Sequence, residues 1–197
     1  MKAFKGFTAN LRSVMGDGKK ETCCFVPGET KKVERSKTAN SGFHCCENPF
    51  ECLCYYQMNG KNRFFIVEAA GDIDEDEGGR IACTKITLVK ELGMKEFTLE
   101  GMKYIIEHPD RANWQQNYGN VVVKQDEAEA KDNKSIAIAR GSSPRVKGQK
   151  GSILGLIVED EQEIKNAKLL ICTGATADKW LRLTEEREVE VIEESES

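Results

Sequence analysis

The sequence has no long apolar run, no excess of positive charge and only two histidines. No stretch approaches the roughly 18 consecutive apolar residues that a membrane-spanning helix needs. The residues after Met1 also lack the apolar core of a signal peptide. These absences predict a cytoplasmic protein with no membrane partner.

The chain lacks the net positive charge that is typical of nucleic-acid-binding proteins. The formal net charge is −4 and the pI is about 5.5, which gives no general attraction to a phosphate backbone. The basic residues between 140 and 150 lie among glycines without interleaved aromatic side chains. Because stacking aromatics and a basic face normally occur together in such proteins, nucleic acid is not expected as a partner.

Cysteine, by contrast, is abundant, with eight residues in a chain of 197. Cytoplasmic thiols stay reduced, so the cysteines predict packing, metal binding or reactivity rather than a disulfide framework. At 39% hydrophobic and 31% charged residues, the composition is that of a globular protein.

Hydrophobic patterning predicts an α+β protein with two domains. Residues 1–115 form a mixed α+β domain, with a helix over about 49–57 and a second helix capped by Thr98. Residues 116–192 carry short apolar pulses separated by polar turn residues, which predicts a mostly β region, either a short β-solenoid or an antiparallel meander. The acidic residues 193–197 are expected to be a disordered tail.

Residues 42–56 concentrate the chemistry of the chain. Asn48 followed by Pro49 is the signature of a helix start. Gly42 predicts a turn that places His44 at this helix entrance, where free backbone N–H groups favour ligand binding. Tyr55 and Tyr56 follow one helix later. We therefore predict that Gly42, His44, Tyr55 and Tyr56 bind a ligand, and we assign no catalytic residue.

Two further hypotheses concern the cysteines. Cys24, His44 and Cys46 are the set that could hold zinc, but the spacing departs from the paired C-x₂₋₄-C knuckles of structural sites. Cys45 or Cys46, just before a helix, could be an activated nucleophile if a base lay within reach. Burial as small hydrophobic side chains remains the expectation for most of the cysteines.

The N-terminal pattern resembles an uncharacterised domain encoded by phages and prophages of gut bacteria. The resemblance covers roughly residues 1–110 and is carried by residues 2–7, 42–49, 55–56, 67–73 and 81–86. It implies no specific activity. The order of glycine, helix tyrosine and following strand is also similar in layout to ADP-ribosyltransferases.

Three functions follow as expectations. The leading one is a phage-derived protein, in the host cytoplasm, that binds a host or phage protein and inhibits a defence nuclease such as a CRISPR effector. The first alternative is an NAD-using enzyme related to ADP-ribosyltransferases, acting through His44 and Tyr55 or Tyr56. The second alternative is a virion or assembly component that forms a homo-oligomer through the β-rich region.

Overall fold

The protein is mostly β, and the predicted α+β class is wrong. A computed structural model describes residues 1–14, 21–76, 79–108, 116–161 and 163–192. Strands account for 55% of the structure, and two helices are present in the described residues. The predicted domain boundary near residue 115 and the predicted tail at 193–197 lie outside the described residues.

The chain divides into two compact units, Met1–Gly101 and Met102–Ser197. The strands of the first unit are β1 (Lys2–Phe7), β2 (Arg12–Val14), β3 (Glu21–Cys24), β4 (Thr30–Lys32), β5 (Phe43–Cys46), β6 (Arg63–Glu75) and β7 (Arg80–Leu92). Five of them form a sheet in the order β4-β7-β5-β1-β6, and β6 also pairs with β7, so the sheet curls into a half-barrel. Strands β2 and β3 pair separately as an antiparallel hairpin.

Bulges allow the two longest strands to curl. The β6–β7 ladder shifts register between Ile66 and Val67 and again between Ala70 and Ile73. Gly71 lies in the second irregularity with a φ of +82°, and a Cβ there would come within 2.2 Å of Thr84 Oγ1. Bulges of this kind increase strand twist and bend the sheet.

The interior of the half-barrel is aromatic. Phe7 contacts the rings of Phe25 and Phe65 edge to face, and Phe25 makes the same type of contact with Phe43. Ala3, Phe7 and their neighbours on adjacent strands form one buried cluster. The face of β1 that carries Ala3 and Phe7 is therefore the core-facing one.

Both helices differ from the predictions. The predicted helix over 49–57 is a 3₁₀ helix, Pro49–Cys54, although Asn48 caps it as expected by accepting a hydrogen bond from Phe50 N at 3.0 Å. Helix α1 (Met94–Glu107) begins four residues before Thr98, whose hydroxyl donates to the Met94 carbonyl instead of capping. Neither helix combines the length and the apolar character that crossing a membrane requires.

The second unit contains a seven-stranded sheet. Its strands are β8 (Gln116–Asn117), β9 (Val121–Ala130), β10 (Ile136–Gly148), β11 (Ile153–Asp160), β12 (Glu163–Ile171), β13 (Trp180–Leu183) and β14 (Val189–Ile192). Strand β10 pairs in parallel with both β9 and β11, which excludes a purely antiparallel meander. Strand β12 pairs antiparallel with β11, and β13 pairs antiparallel with both β10 and β14.

The parallel strands β9 and β10 are bent rather than straight. Only residues 131–135 separate β9 from β10, too few to return along a straight strand to a parallel neighbour. The strands bend instead at Asp126, with a φ of +62°, and after Arg140, where the β9–β10 register shifts. Small and branched residues of β9, β10 and β11 belong to one buried cluster, which includes Ala128, Ala137 and Leu154.

Candidate functional site

The candidate site is a cavity of about 890 Å³ where β1 and β5 separate. These two strands share one register pair, Phe4 with Cys46, whereas β1 pairs with β6 along its whole length. Beyond that pair, Lys5 and Gly6 of β1 face the opening from one side and His44 of β5 from the other. We call this space the β1–β5 cavity.

A strap of residues 33–42 forms another wall of the cavity. Asp74 holds the strap by accepting hydrogen bonds from Thr38 N at 2.7 Å, from the Thr38 hydroxyl, and from Lys37 Nζ at 3.0 Å. The bonds from Thr38 and then Lys37 lower the pKa of Asp74 to about 2. Ser36 adds a bond from its hydroxyl to the Asp72 carbonyl at 2.8 Å.

His44 is a half-buried residue of the cavity lining whose ring is biased towards the neutral form. Burial and then the nearby Lys5 lower the pKa of His44, against the smaller opposing effect of a hydrogen bond to the Lys37 backbone. Its Nε2 is buried and has no hydrogen-bond partner among the described residues. A neutral imidazole with one nitrogen unengaged can accept a hydrogen bond or a proton from a bound molecule.

Lys5 is the feature that sequence reasoning missed. It is 8% exposed, lies on the core-facing side of β1 between Ala3 and Phe7, and donates from Nζ to the His44 carbonyl at 2.6 Å. No carboxylate of the described residues pairs with it. Burial lowers the pKa of Lys5. The alternation of residues 3–7 was the available signal, because period 2 puts a lysine at a core position.

Two thiol pairs surround the Lys5 ammonium. Cys45 hydrogen-bonds Cys83, and Cys52 hydrogen-bonds Cys46; these bonds, with burial, raise the pKa values of Cys45 and Cys52 well above the usual value for a thiol. The bond from Cys45 lowers the pKa of Cys83. Cys45 is therefore a buried protonated thiol, which disfavours it as the activated nucleophile.

The two tyrosines have different surroundings. Tyr56 is buried, its ring covers Gly6, and its hydroxyl accepts a hydrogen bond from Val14 N at 3.0 Å. Tyr55 is exposed, and its hydroxyl hydrogen-bonds Arg80, which is also ion-paired with Asp76 at 2.6 Å. Tyr56 therefore supports the cavity wall, and Tyr55 with Arg80 forms part of its rim.

The structure brings together all four residues predicted to bind a ligand, since Gly42, His44, Tyr55 and Tyr56 all line the β1–β5 cavity. It does not assemble the predicted zinc set. Cys46 and His44 line the cavity, whereas Cys24 is exposed and its thiol contacts the Asn10 carbonyl at 3.8 Å. In the described residues, no group of three or more His, Cys, Asp or Glu side chains could hold a metal ion.

The lining of the cavity is positively charged. Lys5, Lys31, Lys32 and Arg80 contribute to it, and no aspartate or glutamate of the described residues does. This contrasts with the net charge of −4 for the whole chain. Phe4 and Phe43 add aromatic surface. The cavity thus combines cationic and apolar groups, which suits an anion with an apolar body.

Comparisons with known proteins identify a family for the N-terminal half. No curated protein matches the chain. No solved structure matches it either. A family model described as a domain of unknown function, DUF7666, matches residues 1–100, the part of the chain that holds the half-barrel and the β1–β5 cavity. The N-terminal half is thus an uncharacterised domain, and the chain belongs to the DUF7666 family.

Proposed function

We propose that this protein binds a small anionic molecule with an aromatic or apolar body in the β1–β5 cavity. The observation that carries the proposal is the composition of the lining, which has four basic residues and, among the described residues, no carboxylate. Clefts lined by one sign of charge concentrate ligands of the opposite sign. The negative charge of the rest of the chain makes this local inversion a feature of the site.

In this proposal, the basic residues, the aromatic rings and His44 each contact a different portion of the ligand. The anionic group is assigned to the side of Lys31 and Lys32, because Arg80 is already ion-paired with Asp76. Charge-assisted hydrogen bonds contribute about 1.5–3 kcal/mol each when shielded from water. The body of the ligand packs against Phe4 and Phe43. The unengaged Nε2 of His44 accepts a hydrogen bond from the ligand, which adds directional selectivity.

The test is a calorimetric titration with matched charged and uncharged ligands. AMP and adenosine differ by a phosphate, and we expect AMP to bind at least about tenfold more tightly, with an affinity that falls as salt rises. The double variant Lys31→Met/Lys32→Met should lose most of this difference. Lys61→Met, at an exposed lysine outside the cavity, is the control. Equal binding of charged and uncharged ligands across several pairs, unaffected by the double variant, would refute the proposal.

A second candidate is an NAD-using enzyme, because His44, Tyr55 and Tyr56 line one cavity. NAD is itself anionic and aromatic, so it belongs in the same titration. This candidate predicts release of nicotinamide on incubation with NAD and its loss in His44→Ala. Binding of NAD without turnover would leave the binding function and exclude this enzyme activity.

Three more specific proposals rest on the sequence pattern. They are a phage origin, inhibition of a host defence nuclease through protein contacts, and a role in the virion or its assembly. A pull-down from host lysate tests the second, and light scattering for symmetric oligomers tests the third.

A further inference from the structure

Lys5 is a buried lysine without a carboxylate partner among the described residues. It occupies a core-facing position on β1, where Phe7 and Phe25 place their ring centroids 5.4 Å and 6.0 Å from its Nζ. Buried lysines normally pair with a carboxylate, because an unpaired buried ammonium loses its hydration without compensation. No such partner exists among the described residues, so the site favours the neutral amine.

We propose that Lys5 forms an imine with a carbonyl group of the ligand in the β1–β5 cavity. This inference rests on the proposed function, because it takes the same anionic ligand and adds a carbonyl to its chemistry. The ligand class is therefore an anion with an aromatic or apolar body and an aldehyde or ketone. Lys5 is one of the residues that line the cavity, and its Nζ lies 2.6 Å from the carbonyl oxygen of His44, another lining residue.

Imine formation takes two steps, addition of the amine and loss of water. The neutral Nζ attacks the carbonyl carbon, and the C=O electron pair moves to oxygen, which takes up a proton while the nitrogen loses one. The resulting carbinolamine loses its hydroxyl as water and becomes the C=N bond. Amine and carbonyl thus yield imine and water, with no change of oxidation state.

His44 is positioned to assist in two ways. Its backbone carbonyl accepts one Nζ–H of Lys5 at 2.6 Å, which orients the amine. His44 also lines the cavity, and its buried Nε2, which has no hydrogen-bond partner among the described residues, can hold a proton during loss of water. Burial lowers the pKa of Lys5 and outweighs the opposing effect of the neighbouring Cys45 and Cys52 thiols, which raise it.

Pyridoxal 5′-phosphate is a suitable probe, because it is an anionic aromatic aldehyde. The full-length protein is incubated with it, reduced with borohydride and digested, and the modified lysines are located by mass spectrometry. We expect Lys5 to be labelled at least about tenfold faster than the exposed Lys61 and Lys95. Labelling of Lys5 no faster than of these lysines would overturn the imine.

Two comparison ligands separate this inference from the proposed function. Pyridoxine 5′-phosphate has the phosphate but no aldehyde, and it should bind reversibly and protect Lys5 from labelling. If it binds and Lys5 is not labelled by the aldehyde, the imine fails and anion binding stands. If pyridoxal without phosphate labels Lys5 as fast as the phosphate form, the imine stands and anion recognition fails.

Two variants test the assigned roles. Lys5→Arg keeps a basic side chain but removes the amine nucleophile, so the imine absorbance should fall to the level that the exposed lysines give, and the affinity for pyridoxine 5′-phosphate is measured separately. His44→Gln should slow imine formation several-fold at neutral pH and flatten its pH profile, with rates compared at saturating ligand so that a change in affinity does not enter. Unchanged imine kinetics in His44→Gln would remove His44 from the mechanism. If Lys5→Arg fails to fold, the labelling map of the unmodified sequence still decides the case.

Discussion

At the residue scale, the site depends on side chains whose ionisation is set by burial. Lys5 and His44 are bases, and burial lowers the pKa of each. The ring of His44 and the amine of Lys5 are therefore both biased towards the neutral form, in which they can accept protons or react. The same burial links their titration to the stability of the fold.

His44 predicts a pH dependence with a definite sign. Its folded-state pKa lies below the ordinary value of 6.5, so the unfolded chain takes up a proton first as the pH falls. The free energy of unfolding should therefore decrease as the pH falls through about 6.5, until the folded-state pKa is reached. Urea denaturation of the wild type and His44→Gln between pH 5 and 8 measures this, and the difference between the two curves should grow with pH. A constant difference would contradict the assignment.

Gly42 predicts a steric requirement at the end of the strap. Its φ is +91°, and an added Cβ would lie 3.0 Å from the Cys83 carbonyl oxygen and from Ser36. We expect Gly42→Ala to destabilise the fold by about 1–3 kcal/mol in urea denaturation. Gly28→Ala is the matched control, because Gly28 has a φ of +82° but open space around it. If both variants lost the same stability, the close approach at Gly42 would have no effect.

At the element scale, packing decides how each segment behaves. The aromatic and β-branched residues between 63 and 70, bounded by Gly60 and Gly71, predict a buried strand, and this segment lies within β6. The segment at 49–57 carries a correct helix-start signal at Asn48 and Pro49, yet only residues 49–54 form a helix, and it is of the 3₁₀ type. Propensity located the start of this element but indicated neither its type nor its end.

The strap is an element held by one carboxylate. Asp74→Asn keeps the side-chain size but removes the charge that accepts from Thr38 and Lys37. We expect faster amide hydrogen exchange at residues 36–41 and faster dissociation of any cavity ligand. Glu29→Gln, which changes an exposed carboxylate outside the strap, should leave exchange there unchanged. Equal exchange in Asp74→Asn and wild type would show that the strap is held by other contacts.

Strands β10 and β11 are joined by a buried ion pair. Arg140 and Glu159 make two hydrogen bonds at 2.8 and 2.7 Å, with side chains that are 6% and 13% exposed. Glu159→Gln leaves a buried guanidinium without its counter-charge, so we expect a loss of about 3 kcal/mol in urea denaturation. The double variant Arg140→Met/Glu159→Met should recover much of that loss, because neither charge is then buried. No recovery would mean that the pair itself, rather than an unpaired charge, sets the stability.

At the scale of the whole molecule, all eight cysteines lie in the described residues and none of them forms a disulfide. Cys24 and Cys54 are exposed, Cys23 is partly exposed, and the other five are buried. A thiol reagent should therefore modify two or three cysteines rapidly in the native protein and all eight in denaturant without reductant. Fewer than eight in denaturant would reveal a disulfide. This distribution agrees with the prediction that most cysteines pack as small hydrophobic side chains.

The sequence alone determined the features that are encoded locally or by a short period. These include the cap at Asn48, the buried strand within β6, and the concentration of chemistry at residues 42–56. It singled out Gly42, His44, Tyr55 and Tyr56, and the structure places these four residues around one cavity.

Only the tertiary structure decided what depends on neighbours distant in sequence. Lys5 is a core residue because β1 lies between β5 and β6, and its charge meets no carboxylate because the strands around it contribute thiols and aromatic rings. The cavity exists because β1 and β5 pair at one position and then separate. Local patterning contains no information about which strand edges meet, so the mostly β half-barrel could not be derived from it. The alternation of residues 3–7 places Lys5 at a core position but says nothing about the groups that surround it.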